Sequence, residues 1–431
     1  MNVTRLSLNF LNSGGVMRFN FAVLFKQGIM LQSASEKRKK IATILAFISI
    51  PLSGFVTDIY LPSFPDMAKS LEVAEKNIQL TLTCFFLSYG ISQLFVGSLL
   101  DSIGRFKPAM YALVALVLSS MVIGLTRDVR LICLLRVLQG IAVAFVVVGK
   151  RAFFVDLYTG DKLKHYLSFF TITWSLGPIV APFLGGFLQK LFGWQSNFYF
   201  LAIYALLMLV FELIYSGETL ATRKPFHITT IKKNYAMMLG NPVFLLGIIT
   251  LGLAYSVVMV FNISGPFVIA NSFHFSSVVI GYCTLMLGFS WMIGGIVAKR
   301  LIALEFNKKV MGAAMLQLAL IVVLLAISVY SQQLWCFMLF AFIIHICSGF
   351  LYTVNFTTSL LFFPQHAGMT SGLMGGLVYL ITSLASYVIS ITGKIATQED
   401  IVWRYICISV LLVGTVGMAI YKKKEKYLVA K

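Results

Sequence analysis

Five ionisable side chains stand inside long apolar runs in the first half of this chain: Asp58, Arg136, Lys150, Arg151 and Asp156. Glu212 lies near the end of a sixth run. Charge in hydrocarbon is costly, and residues of this kind mark proton relays, ion paths or substrate sites. Asp58 is about four residues from one end of the first run and Arg136 about five residues into the fourth, so at ~1.5 Å rise per residue they reach a similar depth. A buried guanidinium needs a partner, and a carboxylate at its own level is the natural one. Protonation of Asp58 would neutralise it and release Arg136. A proton and a substrate could then compete for one place, which is the chemistry of antiport. Gln139 and Gly140 continue the face of Arg136 at i+3 and i+4.

A second group of charges lies between the second and third runs, in Gly97-Ser-Leu-Leu-Asp101-Ser-Ile-Gly104-Arg105-Phe-Lys107-Pro108. Gly97 and Gly104 permit close packing and a tight turn, and Pro108 suits the first turn of the next helix. With Arg151 and Asp156 facing the same surface, the expected pairs are Arg105–Asp156 and Asp101–Arg151, a charged latch that closes one side reversibly. The fifth run holds a third pattern, Trp174-Ser-Leu-Gly177-Pro178-Ile-Val-Ala-Pro182-Phe-Leu-Gly185-Gly186. Two prolines and three glycines in one helix predict a kink and close approach to a neighbour.

The elements that must position these groups are membrane helices. Of 431 residues, 59% are hydrophobic and 11% charged, and mean hydropathy is +0.90. Soluble domains carry about 25% charge. Twelve apolar runs can be drawn, at about 41–62, 78–100, 108–126, 131–156, 166–190, 197–216, 242–270, 277–298, 310–330, 334–363, 368–393 and 403–421. They divide into six and six around a polar linker, 217–241, between a 41–216 half and a 242–421 half. Residues 1–40 are expected as a disordered tail and 422–431 as a basic one. The net charge is +19, yet 24 of the 34 Lys and Arg fall on one side of this topology and 7 on the other. That bias places both termini in the cytoplasm and excludes a nucleic-acid role. The six cysteines are scattered and form no metal-ligand spacing. No metal and no cofactor is called for, and the absence of a phosphate-binding GxxxxGK[ST] loop excludes ATP as the energy source.

These three patterns resemble the shared loop motif, the fourth-span Arg motif and the fifth-span antiporter motif of twelve-helix drug/proton antiporters in the major facilitator superfamily. Thr57-Asp58-Ile-Tyr60-Leu-Pro62-Ser-Phe-Pro65, Ser264-Gly265-Pro266-Phe267-Val268 and Ala367-Gly368-Met-Thr-Ser371 resemble the bicyclomycin-resistance (Bcr/CflA) type more specifically. The resemblance implies an all-α membrane protein, with twelve transmembrane helices in two six-helix bundles (the major facilitator fold), in a bacterial inner membrane. It implies small-molecule export driven by proton entry, with Asp58 and Arg136 at the proton site. Gly97, Asp101, Gly104, Arg105, Arg151 and Asp156 would form the cytoplasmic gate, and Gly177, Pro178, Pro182, Gly185 and Gly186 the antiport kink. The sequence departs from the pattern at Gln195, where an Arg is more usual, and at Phe106, often a basic position.

Tyr60, Tyr89, Gln139, Trp174, Phe261 and Tyr379 are the candidates for an aromatic substrate cavity. The expected protein is a monomeric, non-enzymatic secondary transporter whose partners are a small organic substrate, protons and the bilayer. A dedicated carrier for one metabolite such as a siderophore, running in either direction, is the alternative. A non-transporting receptor is the reading from another class.

Overall fold

The structure, a computed structural model, describes residues 30–429 apart from Lys394. The described chain is helical: α1 Glu36–Ser49, α2 Leu52–Asp58, α3 Phe64–Ser70, α4 Glu75–Ile103, α5 Phe106–Leu125, α6 Val129–Leu157, α7 Gly160–Phe192, α8 Gln195–Tyr215, α9 Ile228–Leu239, α10 Pro242–Asn271, α11 Ser277–Arg300, α12 Phe306–Tyr330, α13 Leu334–Leu360, α14 Ala367–Ile391 and α15 Gln398–Val429. Among the described residues, eleven helical segments are long and apolar enough to cross a membrane. The 33-residue α7 takes the fifth place in the expected order of twelve.

The first of these segments, Glu36–Ser70, is broken into α1, α2 and α3. Pro51 sets the first break, and a 3-10 turn at Leu61–Ser63 containing Pro62 sets the second. Proline removes a backbone donor and clashes with the preceding turn, so a helix carrying two of them is interrupted. Asp58 is the last residue of α2 and sits at the second break. Other ends are ordinary caps: Asn241 Oδ1 accepts from the Val243 and Phe244 amides to start α10, Asp128 accepts from Arg130 N to start α6, and Gly104 and Gly193, with φ of 99° and 81°, end α4 and α7.

Residues 1–29 of the expected disordered tail lie outside the described residues. From Met30 onward the chain is structured. Leu31 N bonds Glu218 O at 2.8 Å, and Arg38 donates to the carbonyls of Ile214, Tyr215 and Ser216, the last turn of α8. The linker is likewise part of the fold, since α9 buries Ile231 and Met238.

In the first half α4 runs parallel to α6 in a constant register. Arg136 lies over the Phe85 ring, the Gly97 Cα faces Val148, and Arg105 meets Asp156. The main contacts between the halves are made by two helix pairs, α4 with α14 and α7 with α11, with a smaller one of α3 with α10. Small residues bring them close: Gly90 lies against Gly376, Gly281 against Pro182 and Phe183, and Gly186 against Ser277. Thr83 and Ser386 hydroxyls bond at 2.6 Å across the first pair, and Ser277 Oγ donates to Gly186 O at 3.1 Å across the second. Large apolar side chains such as Leu125, Phe192 and Val322 face outward, as a lipid-facing surface requires.

The glycines and prolines inside α7 serve close packing. Gly54 in α2 lies against Pro178, and a Cβ on Gly177 would stand 2.7 Å from the Pro51 carbonyl. Gly54→Val should therefore overpack this crossing at a cost of about 1–3 kcal/mol. The expected outcome is a lower melting temperature and less monodisperse protein in detergent. Gly414→Ala, at a glycine with nothing within 4 Å, should behave as wild type. Equal behaviour of both variants would show that the crossing does not depend on Gly54.

Candidate functional site

Asp58 is buried and lines a cavity of about 70 Å³ between the halves. Around it stand Trp174 and Pro178 of α7, Tyr255 and Asn262 of α10, Thr284 and Trp291 of α11, Tyr352 of α13 and Tyr379 of α14. The break at the end of α2 turns the Asp58 carboxylate toward this space, and its Oδ1 has no hydrogen-bond partner. Hydrogen bonds flank the cavity on both sides. Toward the face of the 97–108 loop, Arg151 donates to Ser371 Oγ at 2.5 Å and Tyr235 to the Leu94 carbonyl at 2.8 Å. Toward the opposite face, Gln79 bonds Ile263 O at 3.4 Å and Asn271 bonds Glu75 at 3.0 Å. Beyond that second seal lies a depression of about 870 Å³ lined by both halves, including Asp66, Lys69, Lys76 and Phe275.

Arg136 is fully buried, and it does not pair with Asp58 in this conformation. Its Nη1 donates to Val56 O and Gln139 Oε1, both at 2.8 Å, and Gln139 donates onward to Ser120 at 2.9 Å. The guanidinium lies between two rings, 4.6 Å from the centre of Tyr60 and 4.5 Å from that of Phe85. Val56 is in the last turn of α2, where carbonyls lose their helical partners and the helix dipole is negative. The expected mate is thus displaced by a broken helix end and two π faces.

Of the other expected cavity residues, Trp174 and Tyr379 line the space, whereas four serve elsewhere. Tyr60 stacks on Arg136 and bonds Thr81 at 3.0 Å; Gln139 holds Arg136. Tyr89 packs on Phe85 and Tyr379, and Phe261 on Phe337 inside the second half. Tyr255, Asn262, Thr284, Trp291 and Tyr352 were missed. Their signal was present: Tyr255, Met259 and Asn262 recur at i, i+4 and i+7, and Thr284, Leu287 and Trp291 at i, i+3 and i+7, each a single helix face with polar or aromatic members.

The loop charges form one cluster within the first half. Arg105 pairs with Asp156 and, at 3.0 Å, with Asp101. The expected Asp101–Arg151 pair is not formed, because Arg105 takes both acids and Arg151 reaches across to Ser371 on α14. Glu218, absent from the sequence-based site, is the hub. Its carboxylate accepts from the amides of Arg105, Phe106, Thr219 and Leu220 at 3.0–3.2 Å. It thereby caps α5 with an acid where the dipole favours one. Thr219 Oγ1 donates to Asp156 at 2.8 Å, Lys224 N to Asp101 O at 2.9 Å, and Gln32 to the Asp156 and Thr219 carbonyls. A Cβ on Gly104 would meet Glu218 Oε2 at 2.6 Å, in a conformation of positive φ.

Lys150 and Glu212, read separately in the sequence, are one buried ion pair joining α6 to α8, away from the cavity.

Comparison with known proteins agrees with this architecture. Residues 46–386 match the family model described as Major Facilitator Superfamily. The chain is 28% identical over 366 residues to an uncharacterized MFS-type transporter, YdgK, of Bacillus subtilis, covering 84% of this chain and 91% of that one. It is 34% identical over 189 residues to a bicyclomycin resistance protein homolog of Haemophilus influenzae, covering 43% and 48%. The solved D-xylose-proton symporter superposes with a TM-score of 0.65 at 15% identity, covering 87% of this chain and 96% of that one.

Two outcomes test the charge clusters. Lys150→Met leaves Glu212 buried and alone and should cost about 3–5 kcal/mol. The double variant Lys150→Met/Glu212→Leu should recover most of that. Melting temperatures of the four proteins in the cycle measure the coupling, and strict additivity would refute it. Glu218→Ala should speed hydrogen exchange at the Arg105 and Phe106 amides, read by mass spectrometry. Unchanged exchange there would show that the cap is dispensable.

Proposed function

Since the chain belongs to the major facilitator superfamily, we propose that this membrane transporter is a proton-coupled exporter of small, mostly lipophilic organic molecules, working by alternating access. The orientation is the one the charge bias favours, with both termini and the 97–108 loop in the cytoplasm of a bacterial inner membrane and the 870 Å³ depression facing outward. The protein works as a monomer.

The observation that carries the reading is the state of Asp58. It is a buried carboxylate at a helix break, lining a cavity between the halves, with Oδ1 unbonded and Arg136 held by other partners. Such a group takes up a proton when exposed outward, because its charge is not otherwise neutralised. The proton is given up inward, where a substrate competes for the same space. Arg136 is held by Tyr60, Phe85, Gln139 and Val56 O, so its place does not depend on an ion pair with Asp58 that must break. The cytoplasmic seal is made by Arg151 and Ser371 across the halves, and the Asp101–Arg105–Asp156–Glu218 cluster keeps the end of α6 in position for it. The cavity of about 70 Å³ is far below the 300–1,000 Å³ of a drug-sized site, so a substrate enters only as the halves part.

Export of drugs, rather than uptake of a nutrient, is favoured by the apolar lining and by the likeness to the bicyclomycin resistance protein homolog. In proteoliposomes reading internal pH, substrate addition should move protons in wild type and not in Asp58→Asn. Flux from several chemical classes is the expected result. Flux from one compound alone would favour a dedicated carrier, and undiminished flux in Asp58→Asn would place the coupling elsewhere.

A further inference from the structure

We propose that Cys84 and Cys133 form an oxidation site inside the first half: a dithiol that a peroxide converts to a disulfide, stapling α4 to α6 beside Arg136. The inference goes beyond transport and does not depend on which molecule the protein carries.

Three observations carry it. The first is the pairing. The first half holds two of the six cysteines, one on α4 and one on α6. The fold brings their side chains together, hydrogen-bonded thiol to thiol. The other four, at 283, 336, 347 and 407, belong to the second half. The second is the backbone. A disulfide forms only where the Cα atoms approach to within about 7 Å, and α4 and α6 meet closely in this stretch. A Cβ on Gly140, about two turns beyond Cys133, would stand 2.1 Å from Ser88 Oγ and 2.7 Å from the Phe85 carbonyl. With the thiols already in contact, closing the bond asks for a side-chain adjustment and little movement of either helix. The third is the surroundings. Both side chains are half-buried, so a small oxidant can reach them. Cys133 lies four residues past Val129, the first residue of α6, or ~6 Å along the axis from the end opposite the 97–108 loop. In the orientation proposed above this is the outward end, on the side where disulfides persist. Arg136 follows Cys133 by one turn, and its guanidinium lies over the ring of Phe85, the residue after Cys84. Its Nε and Nη2 have no hydrogen-bond partner. A positive charge in that place complements the negative charge that gathers on sulfur as it attacks.

The chemistry has two steps. One thiol gives up its proton, and its sulfur attacks the O–O bond of the peroxide, leaving a sulfenic acid and one water. The second sulfur displaces the sulfenic hydroxyl, which takes the second thiol proton and leaves as another water while the S–S bond forms. Two thiols are oxidised by two electrons in all, and one peroxide is reduced to two waters. The neighbouring thiol intercepts the sulfenic acid before it goes on to the irreversible sulfinic acid. The product closes a loop that contains the whole of α5. It thereby narrows the unfolded ensemble and stabilises the folded half. Both helices belong to one half, so the staple does not tie the halves to each other.

The test is peptide mapping by mass spectrometry of the purified full-length protein in nanodiscs, first reduced and then exposed to hydrogen peroxide. The expected product is a cross-linked pair of peptides carrying Cys84 and Cys133, lighter by two hydrogen atoms than the two together and separated again by tris(carboxyethyl)phosphine. Phenylarsine oxide, which bridges two neighbouring thiols with loss of one water, should block the cross-link when added before the peroxide. In at least one of Cys84→Ser and Cys133→Ser, the remaining sulfur should be trapped by dimedone as sulfenic acid about tenfold more than in wild type, because no second thiol resolves it. Oxidised wild type should melt at a higher temperature than reduced wild type, and the two serine variants should melt alike with and without peroxide. Absence of the cross-link in wild type, which needs no variant to fold, would overturn the proposal. So would a cross-link that forms only after the protein is unfolded. An oxidised protein that melts no higher than the reduced one would overturn the staple.

Discussion

The guanidinium of Arg136 is a full positive charge held where no water reaches it, and the first half of the molecule is arranged around meeting that requirement. The rings of Tyr60 and Phe85 take its two faces, the Gln139 amide takes one edge, and a carbonyl at the end of α2 takes another contact. Each of these imposes something further. The carbonyl is available because the first span is broken beside Pro62. The Phe85 ring is in place because α4 approaches α6 closely, and Gly140 allows it by lying directly against Phe85 and Ser88. Asp58, relieved of the duty of neutralising Arg136, is left facing the space between the halves. Arg136 is thus held without an acid, its Nε and Nη2 keeping no hydrogen-bond partner, and Asp58 Oδ1 is left unbonded at the cavity.

The charges near the loop obey the same logic with different means. At that end the helices terminate, so the partners are backbone amides as well as ions. Glu218 satisfies four of them at once and draws the linker into the cluster. Lys150 pairs with Glu212 Oε1, the Oε2 atom keeping no hydrogen-bond partner, and neither residue lines the cavity. Three sets of buried charge are therefore separated in space, one for the cavity, one for the loop and one for the interior of the half. Only the first has an unsatisfied oxygen facing the cavity that the other half helps to build.

Much of this was legible in the sequence where a residue's position was set by hydropathy or backbone chemistry. The order of spans, the burial of Asp58 and Arg136, and the close packing of Gly177 follow from run length, charge placement and the spacing of glycine and proline. What could not be read were partnerships between distant segments. An ion pair for Arg136 was inferred from depth alone, because a one-dimensional reading does not show that a helix would break and offer its carbonyl. Lys150 and Glu212 are 62 positions apart, and neither carries a mark that names the other. Glu218 looked like one polar linker residue among several. Residue type alone suggests Tyr60 and Phe261 as lining, whereas both pack on neighbouring side chains, and Trp291, which does line the cavity, stands inside an apolar run. Each misplacement concerns which side of a helix meets which neighbour, and that is settled only when all the helices are packed together.

The constant register between α4 and α6 has a mechanical consequence. From Arg136 to Asp156 is twenty residues of continuous helix, about 30 Å of rigid rod at 1.5 Å per residue. With α4 bound alongside over the same length, the two form a stiff lever whose arm ends in the charge cluster. A tilt of only about 10° pivoting near Arg136 would carry the far end through about 5 Å, close to one helical turn. A displacement of that size exceeds the reach of any hydrogen bond, so the contact between Arg151 and Ser371 would part while the surroundings of the pivot are scarcely disturbed. A small tilt at the pivot would in this way be geared up to a larger movement at the loop end, with no hinge needed inside the lever itself.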